Sequence, residues 1–600
     1  LEVARDKGVF VNFDMEHHAL KDLTIELFQR CCEKVDFHAG LAMQAYLRSG
    51  VEDARRMAEW ARRTKRVVTV RLVKGAYWDA ETIKAEQNGW PCPVWPQKWQ
   101  TDACFERMTE VFLDATPKTK ADAANGGIKL ALGSHNVRSI GAALAALEQR
   151  GLGREALELQ MLHGMADQLK FAAADMGLRI REYVPVGEMI PGMAYLVRRL
   201  LENTSNESWL KAGFMDNADP GVLLRAPAAT PGQPPAPDLL AIGPERHALS
   251  PAPAGVGNGR AFFNEPMRDF SDRRQREAFA AAIGRATVPK SITDRTPDEA
   301  RAMIARAQAA FPAWRDADPK LRADVLVRAA AIMRQQRDGL SGVMIKEAGK
   351  TWREADADVC EAIDFCEYYA RCAVGLFSRQ RIGRFIGELD ETLYEPRGVA
   401  AVIAPWNFPL AILAGMTVAA LVTGNPTLMK PSEQTRGIAA VFAEIMWEAF
   451  EQAGAGKLGR EVFHFCPGRG STTGAAMVSD PRVALVAFTG SMEVGLGILR
   501  TAGDTQQGAR FVKKVVCEMG GKNAIIVDTS ADLDEAVLGV RHSAFGFQGQ
   551  KCSACSRVIV VDEEGPDGPA IRGFTRRLVE STRALVIGDP LLPGTDVGPV

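Results

Sequence analysis

The sequence predicts an α/β protein with two domains, a (β/α)8 barrel followed by a doubly wound, Rossmann-like domain. The chain has 600 residues, which is more than one hydrophobic core usually serves. Strand-like and helix-like segments alternate in both halves, as they do where helices cross over between parallel strands. A stretch rich in proline, alanine and glycine, 226–259, separates the halves and is typical of a linker. The predicted domains are therefore 1–225 and 260–600.

The composition is that of an ordinary globular protein. Hydrophobic residues make up 46% of the chain and charged residues 24%, and the formal net charge is −1. The near-zero charge gives no bulk positive field for nucleic acid, and no apolar run is long enough to cross a membrane. The eleven cysteines are irregularly spaced, which favours reduced thiols. We therefore expect a cytoplasmic protein.

The ends of the sequence suggest a piece of a longer protein. It begins LEVARDKGVF, which is neither a Met start nor a signal peptide. This stretch leads directly into a strand-like segment. We expect residues before it, including the first two strands of the barrel.

Six strand-like segments lie in the first half, separated by helical patterns. They are VFVNFD (9–14), LAMQAY (41–46), VVTVRLV (67–73), IKLALGS (128–134), ELQMLHG (158–164) and REYVPVG (181–187). Polar side chains gather where these segments end, namely Asp14, Glu16, Gln44, Arg71, Lys74, His135, Asn136, His163 and Tyr183. In a (β/α)8 barrel the carboxyl ends of all strands face the mouth that holds the active site. The pattern predicts a site there.

The segment PGMAYLVRRLLENTSNES after the last strand has a helical pattern. Its polar residues fall on one face and its leucines on the other; the polar set is Tyr195, Arg198, Arg199 and Glu202. Two interpretations remain open. The face is either an ordinary solvated one, or its arginines hold a carboxylate, for which the guanidinium fork is well shaped.

The second half has the pattern of a doubly wound nucleotide-binding domain. Thr296 and Glu299 form a predicted capping box for a helix through Ala310, and a second helix is predicted from about Lys320 to near Gly339. Strands are predicted at GVAAVIA (398–404), PTLMK (426–430), VALVAF (483–488) and NAIIVD (523–528), with Ser530 as the helix cap that follows.

Short motifs lie at the turns of this pattern. They are PWNFP (405–409), MKPSE (429–433), FTGS (488–491), EMGGKN (518–523) and GQKCSA (549–554). Cys552 forms a Cys-x-x-Cys with Cys555, which leaves three alternatives: half a zinc site, a redox pair, or a nucleophile with a bystander. Zinc would need two further ligands at local spacing, and His542 is the nearest histidine, so we expect no metal. A redox pair usually begins a helix after a strand, whereas a glycine- and glutamine-rich turn comes before this one.

These motifs, in this order and spacing, resemble the aldehyde dehydrogenase superfamily over about 260–600. The resemblance implies that Cys552 attacks an aldehyde, that Asn407 and the backbone N–H of Cys552 stabilise the oxyanion, and that Glu518 activates the water that hydrolyses the thioester. Cys555 is then expected to serve only in packing.

The same resemblance implies an NAD site. Its contacts are expected from Lys430, Glu433, Gly490 and Ser491. A carboxylate such as that of Glu433 at the ribose favours NAD over NADP, because it would repel a 2′-phosphate. Ser491 has a second interpretation, as a plain helix N-cap. The sequence stops at VGPV600, before the family's Glu-x-Phe-Gly-Pro motif and its oligomerisation segment. We expect an incomplete NAD site and poor activity from this stretch alone.

The first half resembles the proline dehydrogenase barrel over about 1–225. The resemblance lies in DMEHH (14–18), RLVKGAYWD (71–79), SHN (134–136), LHGM (162–165) and REYVPVGEMIPGMAYLVRRLLENTSN (181–206). It implies that Arg198 and Arg199 bind the proline carboxylate and that Asp14 and Tyr183 shape the proline pocket. It also implies FAD contacts from Gln44, Arg71, Val73, Gly75, Trp78, His135 and Glu202.

A proline dehydrogenase ahead of an aldehyde dehydrogenase is the arrangement of the bacterial proline utilization A family. The resemblance implies oxidation of proline by FAD to pyrroline-5-carboxylate, hydrolysis to glutamate semialdehyde, and NAD-dependent oxidation to glutamate, with substrate channelling between the sites. Ser553 is expected to touch the substrate carboxylate. Expected partners are a membrane quinone as electron acceptor at the inner membrane, a second copy of the chain, and nucleic acid only through a segment before residue 1.

Two other functions stay open. The barrel could use hydroxyproline or another cyclic amino acid, with Tyr183 near the extra hydroxyl. The chain could instead be a binding or regulatory protein with inactive sites, against which the presence of Cys552, Glu518 and Asn407 argues.

Overall fold

The computed structural model describes residues 1–188, 190, 192–193, 197, 219–227, 262–505 and 509–599. The chain divides into two compact units, Leu1–His247 with Ser271–Arg273, and Ala248–Phe270 with Arg274–Val600. The predicted linker, 226–259, lies outside the described residues except for its first two.

The first unit is built on a sheet of six parallel strands in sequential order. They are β1 Val11–Phe13, β2 Ala39–Gln44, β3 Val67–Val73, β4 Gly127–Gly133, β5 Leu157–Leu162 and β6 Arg179–Tyr183. All six predicted strands are present, and β2 is buried along its whole length. The alternation of strands with crossover helices is therefore that of a (β/α) barrel.

The sheet is strongly curved. The guanidinium of Arg181, in β6, lies 5.6 Å from the ring centre of Phe10, which directly precedes β1. These are the two outermost strands. Neighbouring strands are about 4.8 Å apart, so in a flat sheet they would be roughly 24 Å apart. Only a sheet curled like a barrel wall brings their side chains together.

Helices cover the outside of this sheet, and their apolar faces fill the core between helix and strand. In the helix that follows β2, the buried residues Val51, Ala54, Ala58 and Ala61 recur at helical spacing. The helices are α1 Glu2–Asp6, α2 His18–Lys34, α3 Gly50–Arg63, α4 Trp78–Gln87, α5 Lys98–Asp114, α6 Lys120–Ala123, α7 Val137–Gln149, α8 Asp167–Asp175 and α9 Pro220–Leu223, with a 3₁₀ turn at Arg154–Ala156.

The second unit contains a five-stranded parallel sheet in the order β11-β10-β9-β12-β13. The strand order reverses beside β9, which is the topology of a doubly wound nucleotide-binding domain. A short antiparallel pair and a two-stranded parallel sheet accompany it. The strands are β7 Gln380–Arg381, β8 Glu391–Thr392, β9 Val399–Ile403, β10 Thr427–Lys430, β11 Phe463–Phe465, β12 Val483–Gly490, β13 Lys514–Met519, β14 Asn523–Val527 and β15 Cys555–Val560.

The helices of the second unit enclose this sheet. They are α10 Arg273–Arg285, α11 Pro297–Arg315, α12 Pro319–Ala348, α13 Trp352–Leu376, α14 Ala411–Val422, α15 Arg436–Gln452, α16 Gly456–Val462, α17 Ala475–Ser479, α18 Met492–Gly503, α19 Leu533–Phe545 and α20 Pro569–Arg583. A π turn spans Gly470–Gly474 and a 3₁₀ turn Gly546–Gly549.

Three helix boundaries differ from the prediction, although the capping box of Thr296 and Glu299 is confirmed. The helix it begins passes Ala310 and ends at Arg315. The next helix passes Gly339 and ends at Gly349, whose φ of 67° is the left-handed cap that glycine favours. Asp532, not Ser530, caps α19, because its carboxylate accepts the N–H groups of the first turn. In the described part of the chain, no helix is long and apolar enough to cross a membrane.

His464 in β11 makes the stability of the second unit depend on pH. Its ring lies between the guanidinium of Arg306, 3.4 Å from Nδ1, and the carbonyl of Glu461, 2.9 Å from Nε2. Burial, and then the charge of Arg306, lower the pKa of His464 to about 4 from its ordinary 6.5. Below pH 6.5 the unfolded chain takes up a proton at this histidine that the folded imidazole does not. The contribution of His464 to the free energy of unfolding is therefore fully present above pH 6.5 and is lost as the pH falls toward 4. The full loss is about 3 kcal/mol.

A His464→Gln variant tests this dependence by thermal unfolding at several pH values. We expect a flatter stability profile in this interval, with the exposed His542→Gln as the control. Equal slopes for His464→Gln and the unaltered chain would contradict the assignment.

Candidate active site

In the first unit, three predicted site residues meet at the carboxyl edge of the sheet. A guanidinium nitrogen of Arg71, in β3, lies 3.2 Å from the carboxylate of Asp14, which follows β1. The same guanidinium lies 5.7 Å from the ring centre of Tyr183, at the end of β6. Strands that are distant in the sheet thus deliver a cation, an anion and a phenol ring to one place.

The surroundings of this cluster fit a bound flavin. The side-chain amide of Gln44 donates to the carbonyls of Met15 and Glu16, while its oxygen is buried and has no hydrogen-bond partner among the described residues. The Nε of Arg71 is buried without a partner as well. Gly75 has a φ of 126°, and a Cβ there would come within 2.4 Å of the Tyr46 ring. Polar atoms without partners beside a glycine-only bend are what a polar cofactor would use.

The loop after β3 is held by contacts with residues 95–102. Lys74 forms an ion pair with Asp102, which also pairs with Lys98 at 2.9 Å. Burial lowers the pKa of Lys74, and the attraction of Asp102 offsets this only in part. Burial would also raise the pKa of Asp102, but the charges of Lys74 and Lys98 outweigh it and hold that pKa below its usual value. The indole of Trp78 donates to the carbonyl of Trp95 at 2.7 Å. The predicted flavin contacts Val73, Gly75 and Trp78 therefore lie at the end of β3, on the loop that follows it and at the start of α4, and this loop is held from both sides.

His135 lies at the same edge, where its Nε2 accepts the backbone N–H of Leu162 at 3.2 Å. This contact fixes the ring between β4 and β5. Three further predicted site residues, Arg198, Arg199 and Glu202, lie outside the described residues, as does Tyr195. Their roles stay predictions.

In the second unit, the predicted motifs follow neighbouring strands at the carboxyl edge. Asn407 follows β9, Lys430 ends β10, and Ser491 follows β12. Glu518 is in β13, paired in register with Thr489. In open α/β sheets, ligands bind at this edge where the strand order reverses. The fold thus brings four separate motifs to one edge.

The loop that carries Cys552, the predicted nucleophile, spans 549–554 and is hydrogen-bonded to two of these motifs; it is called the nucleophile loop below. The side-chain amide of Asn407 donates to the carbonyl of Gln550 at 2.7 Å. The side-chain amide of Asn523 donates to the carbonyl of Cys552 at 2.9 Å. A Cβ on Gly521 would lie 3.1 Å from that same carbonyl oxygen, so glycine gives the close approach. Cys552 therefore lies beside the segment that begins at Glu518.

The two cysteines of the Cys-x-x-Cys have opposite environments. Cys552 is exposed, whereas Cys555 is buried and its Sγ lies 3.1 Å from the carbonyl oxygen of Arg557. An exposed thiol can react and a buried one packs, so only Cys552 is accessible to a substrate. Among the described residues, no group of three or more His, Cys, Asp or Glu side chains could hold a metal ion.

The expected cofactor residues of this unit fit an anionic nucleotide. Lys430 is buried at the end of β10, and burial lowers its pKa while the nearby Glu433 partly offsets this. Glu433 accepts the backbone N–H of Gly470 at 3.0 Å. Ser491 caps α18 through a long bond of 3.4 Å from the N–H of Val494. A Cβ on Gly490 would come within 2.5 Å of the Phe488 ring, so any larger residue would have to displace that ring.

Two charged residues near the loop of Cys552 were not predicted. Lys350 and Asp358 form an ion pair at 2.7 Å with both side chains fully buried. The Lys350 ammonium lies 4.5 Å from the ring centres of both Phe408 and Phe547. A lysine beside the glycine that ends a long helix could have suggested a special role, but the sequence gives no sign that it is buried.

The carboxyl edges of both sheets carry reactive and polar side chains where α/β enzymes bind substrates and nucleotide cofactors. The fold and these sites are therefore those of an α/β enzyme. The chain belongs to the aldehyde dehydrogenase family, whose model matches residues 274–600, and it joins to this a proline dehydrogenase domain, whose model matches residues 1–212. The two family matches confirm the predicted order of the domains.

Known proteins resemble either the second unit or the whole chain. The 1-pyrroline-5-carboxylate dehydrogenase of Geobacillus thermodenitrificans is 41% identical over 369 residues, covering 56% of this chain and 69% of that protein. The crystal structure of proline utilization A from Bdellovibrio bacteriovorus, inactivated by N-propargylglycine, is 42% identical with a TM-score of 0.81. A Thermus 1-pyrroline-5-carboxylate dehydrogenase with bound NAD is 36% identical, covers 57% of this chain and 70% of that one, and has a TM-score of 0.52.

The coverage is uneven. The Bdellovibrio structure matches 99% of this chain, whereas this chain spans 62% of that protein's length. The arrangement of a proline dehydrogenase barrel ahead of an aldehyde dehydrogenase domain is thus that of bifunctional proline utilization A proteins.

Proposed function

We propose that the protein catalyses two successive oxidations of proline catabolism. The first unit oxidises L-proline to 1-pyrroline-5-carboxylate with FAD. This product hydrolyses to glutamate γ-semialdehyde, which the second unit oxidises to glutamate with NAD. The observation that supports this proposal best is the exposed Cys552 beside Asn407 and the Glu518 segment.

In the second oxidation the thiolate of Cys552 attacks the aldehyde carbon. The oxyanion accepts hydrogen bonds from the backbone N–H of Cys552 and from Asn407. One N–H of the Asn407 amide is used by the Gln550 carbonyl, and its second remains for the oxyanion. NAD supplies the hydride acceptor. Glu518 then takes a proton from water, which attacks the thioester carbon and releases the carboxylate product and the thiolate.

The residues of the second unit also support a choice of cofactor and substrate. The Glu433 carboxylate is held by the N–H of Gly470, where it would repel a 2′-phosphate and so favour NAD. The exposed Ser553, next to the nucleophile, is placed to meet the distal carboxylate of glutamate semialdehyde.

In the first oxidation, Asp14 and Tyr183 shape the proline pocket beside Arg71. FAD supplies the acceptor for the hydride of proline. Gln44, Arg71 and Gly75 hold the cofactor, because their edge of the sheet offers polar atoms without partners and space that only glycine leaves. Arg198 and Arg199 bind the proline carboxylate, and Glu202 and His135 complete the flavin contacts.

The resemblance to proline utilization A also supports partners for the whole protein. The reduced flavin passes its electrons to a membrane quinone, so a cytoplasmic protein meets the inner membrane peripherally. The protein forms a homo-oligomer, and nucleic acid binds only if a segment before residue 1 provides for it. Flavin reoxidation with and without quinone-containing vesicles tests the first of these statements.

The two half-reactions can be tested separately. In the whole protein, proline added without oxygen should bleach the absorption band of the bound flavin, and glutamate semialdehyde with NAD should produce NADH. A flavin that is bound but ignores proline would contradict the first activity, and a lack of NADH would contradict the second.

A second candidate for the first unit is hydroxyproline, because the half-exposed Tyr183 ring could lie near an extra hydroxyl. Comparing the bleaching rates with proline and hydroxyproline decides between them. A faster rate with hydroxyproline would replace proline as the substrate.

A further inference from the structure

A buried positive charge lies behind the nucleophile loop. Lys350 follows the left-handed Gly349 in the turn between α12 and α13, and its side chain is fully buried. Its ammonium pairs with the Asp358 carboxylate at 2.7 Å. The other oxygen of that carboxylate accepts the backbone N–H of Ala411, the first residue of α14, at 2.6 Å. The ion pair is thus fastened to the N-terminus of the helix that follows Asn407.

The same ammonium joins two segments that are far apart in sequence. It lies 4.5 Å from the ring centre of Phe408 and 4.5 Å from that of Phe547. Phe408 is the neighbour of Asn407, and Phe547 lies five residues before Cys552. A cation is attracted to the face of each ring, most strongly where water is excluded. Lys350 therefore contacts both the segment of the predicted oxyanion donor, Asn407, and the segment of the predicted nucleophile, Cys552.

The backbone of the nucleophile segment needs such support. Phe547 and Gln548 have φ values of 46° and 56°, in the left-handed region. Two consecutive non-glycine residues there are strained and persist only where the surroundings hold them. The Phe547 side chain is buried, and the centres of the Phe547 and Trp406 rings are 6.0 Å apart.

We propose that Lys350 is a positioning residue for aldehyde oxidation: its ammonium sets the Asn407 side chain and the Cys552 loop at the separation that oxyanion stabilisation requires. The inference rests on the proposed function of the second unit. The Lys350 side chain is fully buried, so it acts through the two rings and through Asp358.

Two reactions of Cys552 distinguish a positioning role of Lys350 from a general loosening of the fold around the site. Alkylation by iodoacetamide needs only the thiolate, whereas acylation by p-nitrophenyl acetate passes through an oxyanion. In Lys350→Met we expect acylation to fall about 100-fold, because a misplaced oxyanion donor is ineffective. We expect alkylation to stay within about threefold, since thiolate exposure is unchanged. Peptide mass spectrometry identifies modification at Cys552 among the other cysteines.

The matched control is Arg337→Met. Arg337, in α12, forms a buried pair with Asp356, in α13, at 2.8 Å, on either side of the turn that carries Lys350 but away from both rings. It should leave the ratio of acylation to alkylation unchanged, and Asn407→Ala should reproduce the selective loss. If Lys350→Met does not fold, the double variant Lys350→Met/Asp358→Asn removes both charges and should show the same selective loss.

Equal losses of both reactions, or no loss of either, would overturn the positioning role of Lys350. So would the selective loss in Arg337→Met. If Cys552 of the unaltered protein is not acylated at all, the proposed aldehyde oxidation fails first, and this outcome is distinct from a failure of Lys350.

Discussion

Cys552→Ser is expected to abolish NADH formation from glutamate semialdehyde while proline still bleaches the flavin. A serine hydroxyl is hardly ionised at neutral pH, so the attack on the aldehyde loses its nucleophile. We expect a fall of about 10⁴-fold or more in the rate of aldehyde oxidation. The absorbance of NADH measures the second activity, and the absorbance of the flavin measures the first in the same sample.

The matched control is Cys555→Ser, three residues away. Cys555 is buried and its Sγ lies by the Arg557 carbonyl, so its replacement should affect stability more than aldehyde oxidation. If NADH formation survived in Cys552→Ser but not in Cys555→Ser, the nucleophile would be Cys555 and the assignment to Cys552 would be wrong.

Arg71→Met is expected to remove flavin from the first unit. The Arg71 guanidinium lies near both Asp14 and Tyr183, and within the described part of the chain its buried Nε has no hydrogen-bond partner. A hydrogen bond to a charged group contributes about 1.5–3 kcal/mol, so losing even the one that Nε offers weakens flavin binding about tenfold or more. The ratio of flavin to protein absorbance after purification measures the occupancy.

Arg150→Met provides the comparison. Arg150 pairs with Asp114 at 2.7 Å in the same unit, but neither residue lies at the carboxyl edge of the sheet. Its loss should leave flavin occupancy and NADH formation unchanged. Full flavin occupancy in Arg71→Met would refute the role given to this residue.

Much of the fold could be predicted because its signals are local. The six strands of the first unit were visible as short apolar runs between helical patterns, and the capping box at Thr296 gave a helix start. Helix ends were predicted less well. Gly339 does not end α12, because the helix is packed against neighbours along its length and tertiary contacts outweigh one glycine. Gly349 does end it, in the left-handed conformation.

The candidate site was predicted where motifs follow strands. Asn407, Lys430 and Ser491 follow or end neighbouring strands at one edge, as parallel topology requires. The approach of Asn523 to the Cys552 carbonyl could not be predicted, since it depends on how two loops meet.

Lys350 was missed for a different reason. Lysine is almost always exposed, and its burial here follows from contacts with Asp358, Phe408 and Phe547, which are distant in sequence. Periodicity and propensity describe single segments. A charge that joins three segments becomes visible only in the folded chain.

The coupling of the two oxidations is tested by supplying isotopically labelled proline as the only substrate, with NAD and an electron acceptor for the flavin. Mass spectrometry then follows the label. We expect labelled glutamate from the unaltered whole protein, and labelled pyrroline-5-carboxylate without glutamate from Cys552→Ser. Label that stays in proline, or that reaches glutamate equally in Cys552→Ser, would contradict it.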